Sequence, residues 1–355
     1  MVRALSVVLL CSVLAADLIA SENPDYLNLM QRGRAEYRKG NIAGSEASFV
    51  AALKTLQRSD EVERAATLAE LGDVYVNEDQ LSNAERAYLE SLAISRRRPG
   101  EKNIALILRN LGSLYSLQRR DDEALKVLQQ TLKLAKTKAD SNPALLAQVL
   151  NNLGVVYFRQ GRHSKAESLL NQALQIAETS GILFKTPQLL HNLGALYCEK
   201  RNFKKAEELL KRSLQMSEAE VGVAHPDLTF ELMSLAILYT EVARYSDAED
   251  QYRRALKILE PYKSNFDTRI ARLLQGLSAT YTKAGRKAEA YAELSRAAVI
   301  ARRNLDGHPD MAAILEDYSA ALKRQGKPKE AEEVRTEARR ARVAAALVVS
   351  APSPF

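Results

Sequence analysis

The 355-residue chain has no tryptophan, only two cysteines, and few glycines and prolines (15 and 10). No stretch shows the strict apolar-polar alternation of a half-buried strand. Ala, Leu, Glu, Lys and Arg dominate instead, which is the composition of an all-α protein. Chemistry-bearing residues are equally sparse. The four histidines, His163, His191, His225 and His308, stand at metal-ligand spacing neither from one another nor from a cysteine. No glycine-rich phosphate loop or nucleophile elbow is present. Carboxylates are abundant but lie on solvated faces opposite Lys and Arg, so no pair is singled out for acid-base work. No catalytic residue, metal or cofactor is expected.

The net charge is +7. Apart from Arg96-Arg97-Arg98 and the group Arg339, Arg340 and Arg342, the basic residues are scattered. A nucleic-acid binder needs a basic face interleaved with stacking aromatics, so nucleic acid is not an expected partner.

Residues 1–20 differ from the rest. Arg3 precedes an apolar run, ALSVVLLCSVLAA, followed by small residues. That is the layout of an export signal, with a mature N-terminus expected between residues 16 and 21. Asp17 interrupts the run before the ~20 apolar residues that span a bilayer, so no membrane association is expected beyond this segment. The expected location is periplasmic or secreted. Cleavage removes Cys11 and leaves Cys198, which precludes an intrachain disulfide and reads as a packing or groove residue.

The chain repeats itself. Gly72, Gly112, Gly154 and Gly194 each stand three residues before a tyrosine (Tyr75, Tyr115, Tyr157, Tyr197), and Ala236/Tyr239 and Ser278/Tyr281 continue the series. Twelve residues after each small residue stands an alanine: Ala84, Ala124, Ala166, Ala206, Ala248 and Ala290. Weaker copies begin at Gly33 and Ser319. Each copy reads as helix, turn, helix, the small residue allowing close approach and the tyrosine filling the wedge between pairs. Gly161, Gly285, Gly326 and Asn202 are expected in left-handed turns. Ser82/Glu85, Ser164/Glu167, Ser246/Glu249 and Asp122 are expected to cap the second helices. His225-Pro226-Asp227 and His308-Pro309-Asp310 open first helices, with proline at the first helical position.

This pattern resembles the tetratricopeptide repeat family over roughly residues 26–344. Successive small residues lie 39, 40, 42, 40, 42, 42 and 41 apart, against about 34 in the common form of that repeat. The longer period resembles repeats of the kinesin-light-chain kind. The resemblance implies a right-handed α-α superhelix, a solenoid of about eight helix-turn-helix repeats over residues 21–346, followed by a disordered tail over 347–355.

It also implies a concave groove lined by first helices, with wall positions two, three and six residues before the small residue and one, four and five after it. Those positions hold Arg109, Asn110 and Ser113; Gln148, Asn151, Asn152, Phe158 and Arg159; Gln188, His191, Asn192 and Cys198; and Phe230, Met233, Ile237 and Thr240. Asn110, Asn152 and Asn192 share one slot in three repeats, and their amides could hold the backbone of an extended peptide. They could equally bond only to neighbouring helices. The carboxylate clamp of some co-chaperone repeats is not implied, because its lysine slots hold Gln148, Gln188 and Phe230. The expected function is a non-catalytic scaffold for a peptide or partner protein. The alternative is a self-assembling adaptor that binds through its ends, using the apolar run Val343–Val349.

Overall fold

The structure is a computed structural model that describes residues 23–38, 41–78, 80–97, 103–136, 142–182, 186–261, 267–304 and 309–350. The export-signal expectation for residues 1–20 lies outside these, as do residues 351–355 of the expected tail.

Among the described residues there are sixteen α-helices and no strand. They divide into two compact units, residues 2–185 and 186–355. The first contains α1 (Pro24–Arg38), α2 (Ile42–Thr55), α3 (Glu61–Asn77), α4 (Leu81–Arg96), α5 (Ile104–Leu117), α6 (Asp121–Ala135), α7 (Pro143–Arg159) and α8 (His163–Thr179). The second contains α9 (Thr186–Glu199), α10 (Phe203–Val221), α11 (Thr229–Glu241), α12 (Tyr245–Leu259), α13 (Asp267–Lys283), α14 (Lys287–Asn304), α15 (Pro309–Arg324) and α16 (Pro328–Ser350). Helix α16 runs to Ser350, so the boundary expected at 346 falls inside it. Within each unit consecutive helices pack as pairs, and the second helix of a pair leans on the first helix of the next, as α4 does on α5 and α12 on α13.

Helix α7 shows why these segments fold as they do. Asn142 caps it, its Oδ1 accepting from the Leu145 amide at 3.1 Å, and Pro143 occupies the first turn, where no amide donor is needed. Leu145, Val149, Leu150, Leu153, Val156 and Tyr157 then recur at helical spacing and are buried. Gly154 lies against α8: a Cβ placed on it would sit 2.7 Å from Leu170 Cγ and 3.4 Å from the Ala166 carbonyl oxygen. The partner of the small residue is therefore the side chain sixteen positions later, with the alanine keeping the backbone close. Gly112 against Leu128 and Gly194 against Leu210 repeat the contact.

The turn inside each pair is one motif. The residue four after the tyrosine is left-handed: Arg119, Gly161, Arg201, Ala243 and Gly285 have φ between 58° and 78°. The next amide then bonds back to the tyrosine carbonyl, as in Arg120 N to Tyr115 O and Arg162 N to Tyr157 O, both 2.9 Å. This is the closure that ends many helices at a glycine. Gly161, Gly285 and Gly326 take the left-handed position as expected. Asn202 does not; Arg201 is left-handed, and Asn202 caps α10 by accepting from the Lys205 amide.

The serine capping boxes also fail to form. Helices α4, α8 and α12 begin at Leu81, His163 and Tyr245, with Gln80, Arg162 and Arg244 at the cap and no side-chain cap bond. The tight turn starts each second helix ahead of its serine. His225 caps as expected, its Nδ1 accepting from the Asp227 amide at 3.3 Å, but what Pro226 opens is a short 3-10 turn, Pro226–Leu228, and α11 itself begins only at Thr229. Residue His308 lies outside the described residues.

Candidate functional site

The first helices of each unit carry the wall positions. In the first unit these positions are polar and bonded from repeat to repeat. Arg34 on α1 holds Glu70 on α3 through two guanidinium nitrogens, the Nε contact being 2.8 Å. Asp73 on α3 accepts from Asn110 Nδ2 on α5 at 2.9 Å. Ser113 on α5 accepts from Asn152 Nδ2 on α7 at 2.6 Å. All three contacts join the slot one place after a small residue to the slot two places before the next.

Around these rungs the predicted wall residues converge. The Arg109 side chain is only 6% exposed; its Nε donates to Asn110 Oδ1 at 3.1 Å, and its Nη1 donates to Gln148 Oε1. Asn151 is buried and donates to Asn152 Oδ1 at 3.3 Å. A buried guanidinium loses hydration and needs such acceptors. Gln148 and Asn152 remain half-exposed. The Phe158 ring is buried and meets His163 edge-on at 5.5 Å, and Arg159 pairs with Asp121. The structure thus brings Arg109, Asn110 and Gln148 into one set of contacts and Asn151 and Asn152 into another, with the amides of Asn110 and Asn152 turned to the preceding repeat.

In the second unit the wall is more apolar. His191 and Asn192 are buried, and His191 Nε2 lies 3.4 Å from Ser234 Oγ. Burial pushes the His191 imidazole down to about 4, so it is neutral at ordinary pH. Gln188 is half-buried, Met233 is buried, and Phe230 lies under the Arg269 guanidinium, 4.0 Å from the ring centre. Burial lifts the Cys198 thiol to about 12, so it packs and is not a nucleophile at neutral pH. Thr240 Oγ1 meets Thr280 Oγ1 at 2.8 Å.

Sequence reasoning missed Arg34, Glu70, Asp73 and Arg269. The first three could have been found by pairing the two rung slots of successive repeats, where Arg34 and Glu70 are opposite charges. Among the described residues no three His, Cys, Asp or Glu side chains are grouped to hold a metal ion, and no helix is long and apolar enough to cross a membrane.

A family model described as Tetratricopeptide repeat matches residues 63–137, 103–179 and 185–260, more than half of the chain. The chain belongs to the tetratricopeptide repeat family. Its helix pairs match those of solved structures as a fold. BtubC (BKLC) from P. vanneervenii is 23% identical, with a TM-score of 0.52 over 63% of this chain and 90% of that one. A tetratricopeptide repeat protein from Parabacteroides merdae is 19% identical, with a TM-score of 0.52 over 78% and 94%. A Rap protein complexed with competence and sporulation factor is 16% identical, with a TM-score of 0.52 over 88% and 76%. No curated protein matches the chain.

Proposed function

We propose that this tetratricopeptide repeat protein is a non-catalytic scaffold that holds a peptide or partner protein against its first helices. The observation that carries the reading is the pair of half-exposed amide side chains on the first-unit wall, Gln148 and Asn152, set among the buried polar residues Asn110 and Asn151. Helix packing alone favours apolar residues there, whereas amides offer the donor and acceptor that an extended backbone needs. Gln148 Oε1 is taken by Arg109, and the residue is half-exposed. The Rap structure bound to a factor is a repeat array of similar fold with a ligand, and it supports the same class of role. The reading keeps residues 1–20 as an export signal, which sequencing of the mature N-terminus checks; an intact Met1 would count against it.

The test is selection of peptides from a displayed library against the intact chain, followed by affinities for variants. Gln148→Ala with Asn152→Ala should weaken selected peptides about tenfold, since an unpaired ligand group costs about 1–3 kcal/mol and about 1.4 kcal/mol is a factor of ten. Glu90→Ala, on the exposed side of α4, should leave the affinity unchanged. Equal losses from both variants would remove the wall as the site.

A further inference from the structure

The turn arginines form a recurring device, and one copy of it is incomplete. Arg120, Arg244 and Arg286 each lie 4.2 Å from the ring centre of the repeat tyrosine, Tyr115, Tyr239 and Tyr281 respectively. Each holds two carboxylates. One stands three residues on, at Glu123, Asp247 and Glu289. The other comes from the second helix of the preceding pair: Glu85 at 2.6 Å, Glu207 at 3.0 Å and Glu249 at 2.5 Å. Tyr239 and Tyr281 donate to that same glutamate at 3.2 and 2.8 Å. The glutamate is always thirteen residues after the small residue of its own repeat.

Arg162 occupies the same turn, 4.8 Å from the ring centre of Tyr157. Its two carboxylate positions hold Lys165 and, on α6, Leu125. Lys165 Nζ lies 4.1 Å from the ring centre and donates to the Tyr157 hydroxyl at 2.9 Å, where Gln129 Nε2 also donates at 3.3 Å. With both lone pairs of that oxygen engaged, its own proton is left to donate to an acceptor. Arg162 and Lys165 are exposed, and neither forms an ion pair among the described residues. The hydrogen bond from Lys165 lowers the Tyr157 phenol, whereas burial and the Glu249 carboxylate lift Tyr281 to about 12. Among the four turns that hold an arginine, this one alone has lysine in place of the nearer carboxylate; Lys205 stands in the same way on Tyr197, but there Asn202 replaces the arginine and Glu167 keeps the other carboxylate position.

We propose that Arg162, Lys165 and the Tyr157 hydroxyl form a docking point for a carboxylate on an acidic segment of a partner protein. That carboxylate takes the place filled by Glu85, Glu207 and Glu249 in the other three copies, where arginine, tyrosine and glutamate fit together within the chain. The site draws on α6, the last turn of α7, the turn after it and α8, and none of its side chains belongs to the amide set on the first helices. Exposed ion pairs are individually weak, so a run of acidic residues is the ligand expected, not a lone carboxylate.

The test uses the intact chain and a fluorescent, terminally blocked hexaglutamate peptide, followed by anisotropy at about 20 mM salt, where screening is low. Arg162→Ala with Lys165→Ala should lower the affinity at least about fivefold. Leu125→Glu supplies the missing carboxylate from within and should lower it as much. Gln130→Glu makes the same charge change at an exposed position on α6 and should alter it less than about twofold. The proposal is overturned if the double variant binds like the parent, or if Gln130→Glu matches Leu125→Glu. It is also overturned if hexaglutamate does not bind where a phosphoserine peptide of equal length does. Should Leu125→Glu fail to fold, the double variant decides, because both of its side chains are exposed.

Discussion

The two units use one repeat register with different chemistry on their first helices. In residues 23–182 the rung slots hold Arg34 and Glu70, Asp73 and Asn110, Ser113 and Asn152, and every pair is hydrogen-bonded. In residues 186–350 the equivalent slots hold Ala195 and Ser234, Ile237 and Gly276, Ala279 and Asp317. There the repeats are joined by one large apolar core that includes Leu232, Met233, Leu273, Leu277, Ile314 and Leu315, with pairs such as Glu241 and Lys283 at its edge. The glycine, tyrosine and alanine signature fixes how helices approach and leaves the rung slots free. A polar wall demands partners of the right kind in successive repeats, while an aliphatic wall tolerates many combinations. The first unit is accordingly the more specific surface and the second the more forgiving core.

Acid should break the second unit before the first. His191 is buried, and burial pushes its imidazole down to about 4, against about 6.5 in an unfolded chain. As pH falls below 6.5 the unfolded state takes up a proton that the folded state refuses until about pH 4. The stability that rests on neutral His191 is therefore present above pH 6.5 and is lost as pH falls through that window, by roughly 3 kcal/mol at its foot. Hydrogen exchange at pH 7 and pH 4.5 should show α9 and α11 opening more readily at the lower pH, with His191→Gln removing most of the difference. A His191→Gln protein that keeps the full acid response would place the titrating group elsewhere.

The rungs themselves come next in size. Asn110→Ala deprives Asp73 of a donor at 2.9 Å and the buried Arg109 of an acceptor at 3.1 Å, and it should cost about 1–3 kcal/mol. Ser234→Ala removes one long contact of 3.4 Å in the second unit and should cost less than about 1 kcal/mol. Denaturant midpoints of the two variants, read against the parent, check the contrast. Equal costs would mean that the polar rungs hold the first unit no better than packing holds the second.

The repeat register was legible because glycine, tyrosine and alanine each have a steric reason to recur, so the helix pairs follow from their spacing. What could not be read had two physical causes. The rung partners are 36 to 39 residues apart, and a wall position looks the same in the sequence whether its side chain faces a ligand or the preceding repeat. Asn110 and Asn152 were therefore open to both readings until their partners, Asp73 and Ser113, were placed. The caps were misread because Ser82, Ser164 and Ser246 carry a local signal that the turn closure overrides: the bond from the residue after the left-handed one to the tyrosine carbonyl sets where each second helix begins. That left-handed residue was predictable only where it is glycine, as at Gly161, and not at Arg119, Arg201 or Ala243.

The smallest effect concerns that turn, which both units share and which should answer alike in each. Gly161 in the first unit has φ 73°, and a Cβ added there would meet nothing within 4 Å. Ala243 in the second unit has φ 60° at the equivalent position. A left-handed backbone costs a residue with a Cβ roughly 1–2 kcal/mol, and glycine gives back part of that through its greater freedom when unfolded. Gly161→Ala should therefore destabilise by about 1 kcal/mol, and Ala243→Gly should stabilise by a similar or smaller amount. Because the space around Gly161 is open, its change reports the backbone alone. Thermal midpoints shifting in opposite directions would show one turn geometry running through two walls of different chemistry. A Gly161→Ala protein as stable as the parent would mean that the turn relaxes when a side chain is added, and that the left-handed residue is not what closes the helix pair.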